Sequence, residues 1–528
     1  MWGWASDLAF PVELCTSDGR SLMMHPGLPL AWGMLVLGTM ALLSAWMLLA
    51  PGHSSPRQRA LSLARLPGIG QTLQRLLSSP WILLALKLAT VGFFLLVIVA
   101  GLSGTQIPER NLATVLTWNV WWAGLIFSIM LVGSAWCAIC PWDALAQWLV
   151  KRRLWRRAAP ETSLNLKVPR YLNNVWPALA LFVGLTWLEL GLGVTNNPYV
   201  TAVVALLMVV LATVSLAVFR KKAFCRNFCP VGRTIGFYSQ LAPVELRSID
   251  PALCAKCETL ACYHGTETVE PCPTSLVMGR LKQNSYCTSC GNCVRGCDQQ
   301  NIAWRLRSPA VEAISGGRPH WDEAWFMVGL LALTLLHGLT MMPFWESAIR
   351  WLARAIGDSG QLLWSFSLGM LGCLALVGGL FALATWLARR LSGAPLEYRR
   401  TFSALAFTTL PLAFAYHLSH NLMHLVRETT DLGALLANPL GVGALPLSMA
   451  ERHQRQLDMW LSPALLHALQ AGLMITGFPI AARTLRARGD ALFQGHRPRL
   501  AMTPILLFLV VIALFQVGML MQPMIMRM

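Results

Sequence analysis

Long apolar stretches separated by short polar segments recur along the whole chain. A run of about 20 apolar residues forms a helix long enough to cross the hydrocarbon core of a bilayer. Ten such stretches predict ten transmembrane helices, at residues 27–50, 82–101, 112–134, 175–194, 200–219, 324–343, 361–386, 402–425, 462–482 and 502–522. The predicted fold class is therefore an all-α polytopic membrane protein with about ten transmembrane helices.

One segment breaks this pattern. Residues 245–310 are rich in turn-forming residues and poor in apolar periodicity. A segment with so little apolar core does not fold alone, and metal–thiolate bonds can supply the missing stability. We therefore divide the chain into an N-terminal membrane block (1–240), a small insert (241–315) and a C-terminal membrane block (320–528).

Composition and charge support a membrane location. Hydrophobic residues make up 55% of the 528 residues and charged residues only 12%, about half of what a soluble domain carries. The net charge of +18 would suit nucleic-acid binding, but the basic residues cluster in every second connection, at 57–75, 151–157, 220–222, 389–400 and 483–499. This is the positive-inside pattern. It predicts a multi-pass protein of the bacterial inner membrane, with both termini periplasmic and the insert cytoplasmic, in contact with lipid and not with nucleic acid.

Eight cysteines in the insert carry the clearest chemistry. Cys287, Cys290, Cys293 and Cys297 have the spacing C-x2-C-x2-C-x3-C of bacterial ferredoxins. Four more lie upstream: Cys254, Cys257, Cys262 and Cys272, the last followed by Pro273. Two sets predict two [4Fe-4S] clusters. Because the fourth ligand of each cluster comes from the other set, we expect one cluster on Cys287, Cys290, Cys293 and Cys272, and the other on Cys254, Cys257, Cys262 and Cys297. Zinc, which prefers two separated C-x2-C pairs, fits the second set less well.

A cysteine pair followed by proline occurs twice near the membrane surface. Cys137 and Cys140 precede Pro141 at the end of one predicted hairpin, and Cys225 and Cys229 precede Pro230 at the end of the next. The repeat predicts four thiols at one membrane depth near a pseudo-twofold axis. They would hold a cluster or another metal, or form a reversible dithiol. The structural alternative is that proline ends each helix and the cysteines only pack.

The two hairpins followed by a two-cluster ferredoxin segment resemble the membrane polyferredoxins of the NapH/NosR type, over about residues 80–310. The resemblance implies a 4Fe-4S electron-transfer protein that serves periplasmic nitrate or nitrous-oxide reduction. It also implies an electron route from quinol or from the cytosol towards the periplasm. The last five predicted helices exceed what the resemblance accounts for.

Histidines mark the C-terminal membrane block. His417, His420 and His424 share one side of the eighth predicted helix, and His337 and His467 lie in neighbouring helices. Histidines within transmembrane helices are rare and face the bundle interior. Three interpretations of these histidines remain open. They could bind b-type haem, bind copper or another transition metal, or act as proton and hydrogen-bonding groups around a quinone. Separate buried histidines are the structural alternative.

The expected function is inner-membrane electron transfer through two [4Fe-4S] clusters, as a component of an oxidoreductase system. Electrons would pass between a cytoplasmic or quinol pool and a periplasmic-side cofactor or redox partner. The main alternative is a ferredoxin-linked copper reductase or a metalloenzyme maturation factor, and a transporter with regulatory clusters is a third class. At the end of the histidine helix, Arg427 and Glu428 are expected to form a solvated pair.

Overall fold

The computed structural model describes residues 13–15, 21–49, 60–152, 162–451, 454, 458–494 and 496–525. The longer helices within these residues are α1 (Leu30–Leu49), α2 (Gly70–Ser78), α3 (Pro80–Ser103), α4 (Leu112–Val132), α5 (Pro141–Lys151), α6 (Trp176–Gly191), α7 (Pro198–Val218), α8 (Pro230–Tyr238), α9 (Trp321–Leu339), α10 (Pro343–Ile356), α11 (Leu363–Ser392), α12 (Tyr398–Glu428), α13 (Pro463–Leu492) and α14 (Pro498–Met521). Short helices or helical turns cover Trp136–Ile139, Phe224–Phe228, Pro251–Ala255, Ala261–His264, Asn292–Arg295, Glu312–Gly316 and Leu432–Ala437.

Nine of the helices in the described part of the chain are long and apolar enough to cross a membrane. They are α1, α3, α4, α7, α9, α11, α12, α13 and α14. The fourth predicted span becomes α6, which has 16 residues and is shorter than the roughly 20 that a straight crossing needs. The prediction of an all-α polytopic membrane protein is confirmed.

Helix α12, which carries three of the histidines, occupies the centre of the C-terminal block. All residues in the apolar stretch of α12 are buried inside the protein, whereas only 22% of those in the apolar stretch of α3 are. Gly477 of α13 lets the two helices approach closely, because a β-carbon there would lie 2.4 Å from the Cβ atom of Ala415. Ser419 donates a hydrogen bond to the carbonyl of Gln470, and the Gln470 amide donates to the carbonyl of Ser419. Small residues and paired polar groups of this kind hold helices together in lipid.

The insert is built on a three-stranded antiparallel sheet with the order β3 (Ala60–Ser62), β5 (Ile302–Arg307), β4 (Val244–Ser248). Leu63, Leu246 and Trp304 form part of its small core. Helix α2 packs on the same unit, where Gln74 donates to the carbonyl of Ile302 over 3.3 Å. Residues 60–78 therefore pack with the cysteine segment, an association that the sequence analysis did not predict. A second small sheet joins β1 (Glu13–Cys15), β2 (Ser21–His25) and β6 (Met524–Ile525).

A network of buried ion pairs lies within the insert, and hydrogen bonds from Arg488 join it to the membrane block. Glu312 accepts hydrogen bonds from the guanidinium groups of Arg247 and Arg307, and Glu245 pairs with both arginines as well. Arg488 of α13 donates to the backbone carbonyls of Glu312, Ala313 and Gly317. Charges buried this deeply are stable only when each has its partner, so the ion pairs stabilise the insert itself, and the hydrogen bonds from Arg488 hold it against α13.

Candidate iron–sulfur and redox sites

The first group of insert cysteines surrounds one cavity. Cys254, Cys257, Cys262 and Cys297 all line a cavity of about 260 Å³. Asn301 joins the two ends of the group: its side-chain amide donates to Cys254 Sγ and its backbone N–H donates to Cys297 Sγ, each over 3.4 Å. Cys297 thus lies beside the three upstream cysteines, as the crossed ligand assignment requires.

The second group consists of Cys287, Cys290, Cys293 and Cys272. Burial raises the pKa of the Cys287 thiol to about 12, and the neighbouring Cys290 and Cys272 add to the shift. The backbone N–H of Leu276 donates to Cys272 Sγ over 3.2 Å, and that of Ser289 donates to Cys287 Sγ over 3.4 Å. Burial raises the pKa of Cys287 and Cys293 and so disfavours their thiolate forms, whereas bound iron would stabilise thiolates. The donor set therefore fits a cluster.

The two hairpins bring the four membrane-surface thiols together. Burial raises the pKa of Cys137 well above its usual value, and Cys225, Cys140 and Cys229 each raise it further through charge repulsion. Cys229 is buried, and its Sγ atom accepts a hydrogen bond from the backbone N–H of Gly232 over 3.2 Å. The four thiols are therefore grouped, while the pseudo-twofold arrangement and the role of these thiols as ligands stay predictions.

Two cationic groups accompany these thiols. Lys222 is paired with Asp143 over 2.5 Å. Arg233 is only 2% exposed, and its Nε and Nη1 atoms have no hydrogen-bond partner. Burial raises the pKa of Cys137, Cys225 and Cys229, and the positive charge of Arg233 offsets part of that rise. A buried guanidinium with two nitrogens that lack a hydrogen-bond partner is costly, and an anionic thiolate-bound cluster would offset that cost. The sequence analysis missed Arg233, whose only signal is its place three residues after Pro230.

Within the described residues, no three His, Cys, Asp or Glu side chains are grouped to hold a metal ion.

In the membrane interior, α12 and its neighbours carry a row of acidic and imidazole groups. Glu189 Oε1 of α6 lies 3.7 Å from His337 Nδ1 of α9, and the ring centroids of His337 and His420 are 5.1 Å apart. His420 Nε2 is 3.3 Å from His424 Nε2, and His424 Nδ1 is 2.7 Å from Glu428 Oε1. We call these five residues the histidine row. Sequence analysis missed Glu189, because only the fold brings α6 beside α9.

The other two histidines lie outside the row. His417 Nδ1 is 3.2 Å from Tyr238 Oη, and His467 lies near Arg427. The expectation that Arg427 and Glu428 form a solvated pair is wrong. Arg427 is 6% exposed, and Glu428 instead binds His424.

The histidine row lies in the half of the membrane block away from the insert. Phe407, near the start of α12, lies against Gly317 at the insert. Glu428 follows 21 residues later in the same helix, which corresponds to about 30 Å at 1.5 Å per residue. The cysteine groups and the end of the histidine row therefore face opposite sides of the membrane block.

Aromatic side chains connect the membrane-surface cysteines to α12. Trp136 and Trp142, which flank the first cysteine pair, both contact Trp121, with ring centroids 5.9 and 5.8 Å away. Trp121 contacts Trp122 at 6.0 Å, and Trp122 contacts His417 at 5.7 Å. The segment Val115–Trp121 is π-helical, a distortion that is frequent at functional sites. We call these four tryptophans the tryptophan chain.

An apolar cavity of about 100 Å³ lies beside the tryptophan chain. Trp121, Trp122 and Trp142 line one side of it, with Pro230 of the second cysteine motif and Glu189 of the histidine row. The cavity therefore touches a cysteine–proline motif and the histidine row at once.

Comparisons with known proteins agree with this arrangement. A family described as a 4Fe-4S binding domain matches residues 114–158 and 201–242, and each matched segment contains one cysteine–proline motif. The chain is 24% identical over 141 residues to YccM of Escherichia coli (strain K12), whose name assigns it to electron transport. That match covers 25% of this chain and 35% of the relative. No solved structure matches the chain. The resemblance to membrane polyferredoxins is confirmed, and the chain is a multi-pass membrane protein with two segments that match a 4Fe-4S binding family.

Proposed function

We propose that this protein transfers electrons in the bacterial inner membrane through three [4Fe-4S] clusters, two in the insert and one held by Cys137, Cys140, Cys225 and Cys229. The observation that carries the proposal is the grouping of these four thiols beside buried Arg233. Each of the two segments that match the 4Fe-4S family supplies half of the group. The insert clusters would face the cytoplasm, as the distribution of basic residues indicates.

The chain's own residues would hold each cluster and set its potential. When bound, an iron–sulfur cluster supplies one-electron redox chemistry. The thiolates position it, and N–H groups of Asn301, Leu276 and Gly232 donate to three of the sulfur atoms. Such hydrogen bonds, together with burial and nearby charge, are what a protein uses to tune reduction potential.

A quinol as electron donor, or a quinone as electron acceptor, is the redox partner that the apolar cavity supports best. The cavity has a volume of about 100 Å³, which is smaller than sites for drug-sized ligands. The cavity would therefore receive the quinol ring and leave the isoprenoid tail in lipid. The tryptophan chain would connect this ring to the membrane-surface cysteines. Glu189, which lines the cavity and also contacts His337, would exchange protons with the ring.

The histidine row supports this proton role better than a haem role. An axial imidazole uses its ring nitrogen on iron, whereas His420 Nε2 is engaged by His424 on the same helix. The row ends at Glu428, on the side away from the insert, so it would carry protons towards the periplasmic face. Haem at the histidines stays a prediction.

A copper or other metal site at the histidines is the second candidate. The 3.3 Å between His420 Nε2 and His424 Nε2 equals the ~3.3 Å expected for two ligands on a tetrahedral ion with metal–nitrogen bonds of about 2.05 Å. In that case the clusters would reduce a metal ion instead of exchanging electrons with a quinol. Metal analysis of the purified protein separates the two candidates, because the quinol proposal predicts iron alone.

The electron-transfer proposal is tested by exchange of one ligand in the insert. Cys290→Ser should remove one cubane signal from the electron paramagnetic resonance spectrum of the dithionite-reduced protein and leave the protein in the membrane. Cys373→Ser, on α11 and outside all three groups, is the matched control and should keep every signal. An unchanged spectrum in Cys290→Ser would contradict the ligand assignment.

A further inference from the structure

A large cavity opens where the insert meets the first membrane block. Its volume is about 380 Å³. One wall is apolar and consists of the beginning of α3 and the end of α7, including Pro80, Leu83 and Phe219. Cys290, a proposed ligand of an insert cluster, also lines the cavity. The cavity therefore lies at the boundary between lipid and the iron–sulfur segment.

The polar lining is strongly basic. Six cationic side chains border the cavity: Lys87, Lys151, Arg220, Lys221, Lys222 and Arg295. Among the described residues, Glu270 is the one acidic side chain that lines it. Lys222 forms an ion pair with Asp143, and Lys151 Nζ forms one with Glu270 Oε2 over 3.4 Å. These two carboxylates cannot offset six positive charges, so the cavity attracts anions.

Two of the cations present unused donors. The Nζ atom of Lys221 and the Nε atom of Arg295 are buried and have no hydrogen-bond partner. Lys221 Nζ lies 4.0 Å from the centre of the Tyr263 ring, and its backbone has a φ of +57°, a conformation that costs energy for a lysine. Buried donors normally find an acceptor, and an anion in the cavity would supply one for each.

We propose that this cavity binds the phosphate of an anionic phospholipid, and that the bound lipid tunes the insert cluster beside Cys290. The apolar wall favours a lipid over free phosphate as the source. Leu86 on α3 and Val210 and Val214 on α7 are 47%, 54% and 56% exposed, so acyl chains can pack on them below the headgroup. Basic clusters at the cytoplasmic boundary of transmembrane helices are typical sites for anionic headgroups.

The effect on the cluster, which rests on the proposed function, follows from charge. A phosphate next to Cys290 adds negative charge near the cluster and makes the addition of an electron less favourable. The bound lipid should therefore lower the reduction potential of that cluster. A tenfold change in the reduction equilibrium corresponds to 59 mV for a one-electron couple.

The test compares nanodiscs of phosphatidylcholine with nanodiscs in which one lipid in five (on the order of 20%) is phosphatidylglycerol, a fraction typical of anionic bilayers. The reduction potential of the Cys290 cluster is read by redox titration with electron paramagnetic resonance. Phosphatidylglycerol should lower the potential by about 59 mV, a tenfold change in the reduction equilibrium.

Variants of the cavity test the same shift. Lys221→Gln should remove most of it, and Lys221→Arg should keep it. Arg170 is an exposed cation outside the cavity, so Arg170→Gln should behave as wild type. No shift in wild type, or a full shift in Lys221→Gln, would overturn the proposal.

Two further arms separate the sources of failure. Inorganic phosphate added to phosphatidylcholine nanodiscs should leave the potential unchanged, and an equal shift would contradict a lipid as the ligand. Native mass spectrometry reports lipid binding without reference to the clusters. Retention of phosphatidylglycerol by wild type and its loss in Lys221→Gln would support the site even if the cluster assignment failed, whereas equal retention would refute the site.

Discussion

The guanidinium carbon of Arg233 lies 4.4 Å from the centre of the Tyr286 ring. This cation–π contact joins the second cysteine–proline motif to the residue just before Cys287, and thereby places a buried positive charge between two of the proposed clusters. Tyr286 in turn donates a hydrogen bond to Glu323 of α9 over 2.6 Å. The membrane-surface cysteines, the insert and the C-terminal block are thus linked through one pair of side chains.

Replacing Arg233 should make the membrane-surface cluster harder to reduce. Arg233→Met removes the buried charge that stabilises the thiolates, so we expect the reduction potential to fall by about 59 mV, which is tenfold in the reduction equilibrium. Redox titration with electron paramagnetic resonance measures the change. Arg233→Lys keeps a positive charge and is the control. Equal potentials in wild type and Arg233→Met would show that Arg233 acts only in packing.

The tryptophan chain should matter for electron entry from quinol. Trp121→Leu opens a gap among Trp136, Trp142 and Trp122, and we expect quinol-driven cluster reduction to slow by roughly tenfold. Stopped-flow bleaching of cluster absorbance after mixing with duroquinol measures the rate. Reduction by dithionite, which acts directly on exposed clusters, should stay as in wild type. Trp148→Leu, an exposed tryptophan of α5, is the matched control, and an equal loss in both variants would count against the chain.

The histidine row should control proton release. His420→Gln breaks the row between His337 and His424, so duroquinol oxidation should slow by about a hundredfold, the size typical of a lost proton acceptor. The solvent isotope effect on the rate should increase at the same time. His467→Gln, a histidine outside the row, should leave both unchanged. A normal rate in His420→Gln would remove the row from the proton route.

The buried ion network should stabilise the fold of the insert. Glu312→Gln leaves Arg247 and Arg307 with less negative charge, and we expect a loss of about 3 kcal/mol, as for other buried pairs that lose one partner. Thermal unfolding of the purified protein measures the loss. Glu346→Gln breaks the exposed pair of Glu346 (54% side-chain exposure) and Arg350 (47%) and should cost less than about 1 kcal/mol. Similar melting temperatures for the two variants would contradict a stabilising network.

Sequence patterns identified the features that depend on local order. The long apolar runs gave the transmembrane helices, and the short spacings of Cys287 to Cys297 marked the ferredoxin segment. Features formed by distant parts of the chain had no local signal. Strand β3 has only three residues and is recognised by its pairing with β5. Glu189 meets His337 across 148 residues of chain, and Arg233 acquires its role only when two hairpins pack together.

The central claim, a cluster held jointly by the two hairpins, is tested most directly by iron and acid-labile sulfide analysis of anaerobically purified Cys229→Ser beside wild type and Cys373→Ser. Three cubanes predict about twelve irons and twelve sulfides per wild-type chain and about eight of each in Cys229→Ser, with Cys373→Ser unchanged. If Cys229→Ser and wild type contain the same amounts, the four membrane-surface cysteines do not hold a cluster.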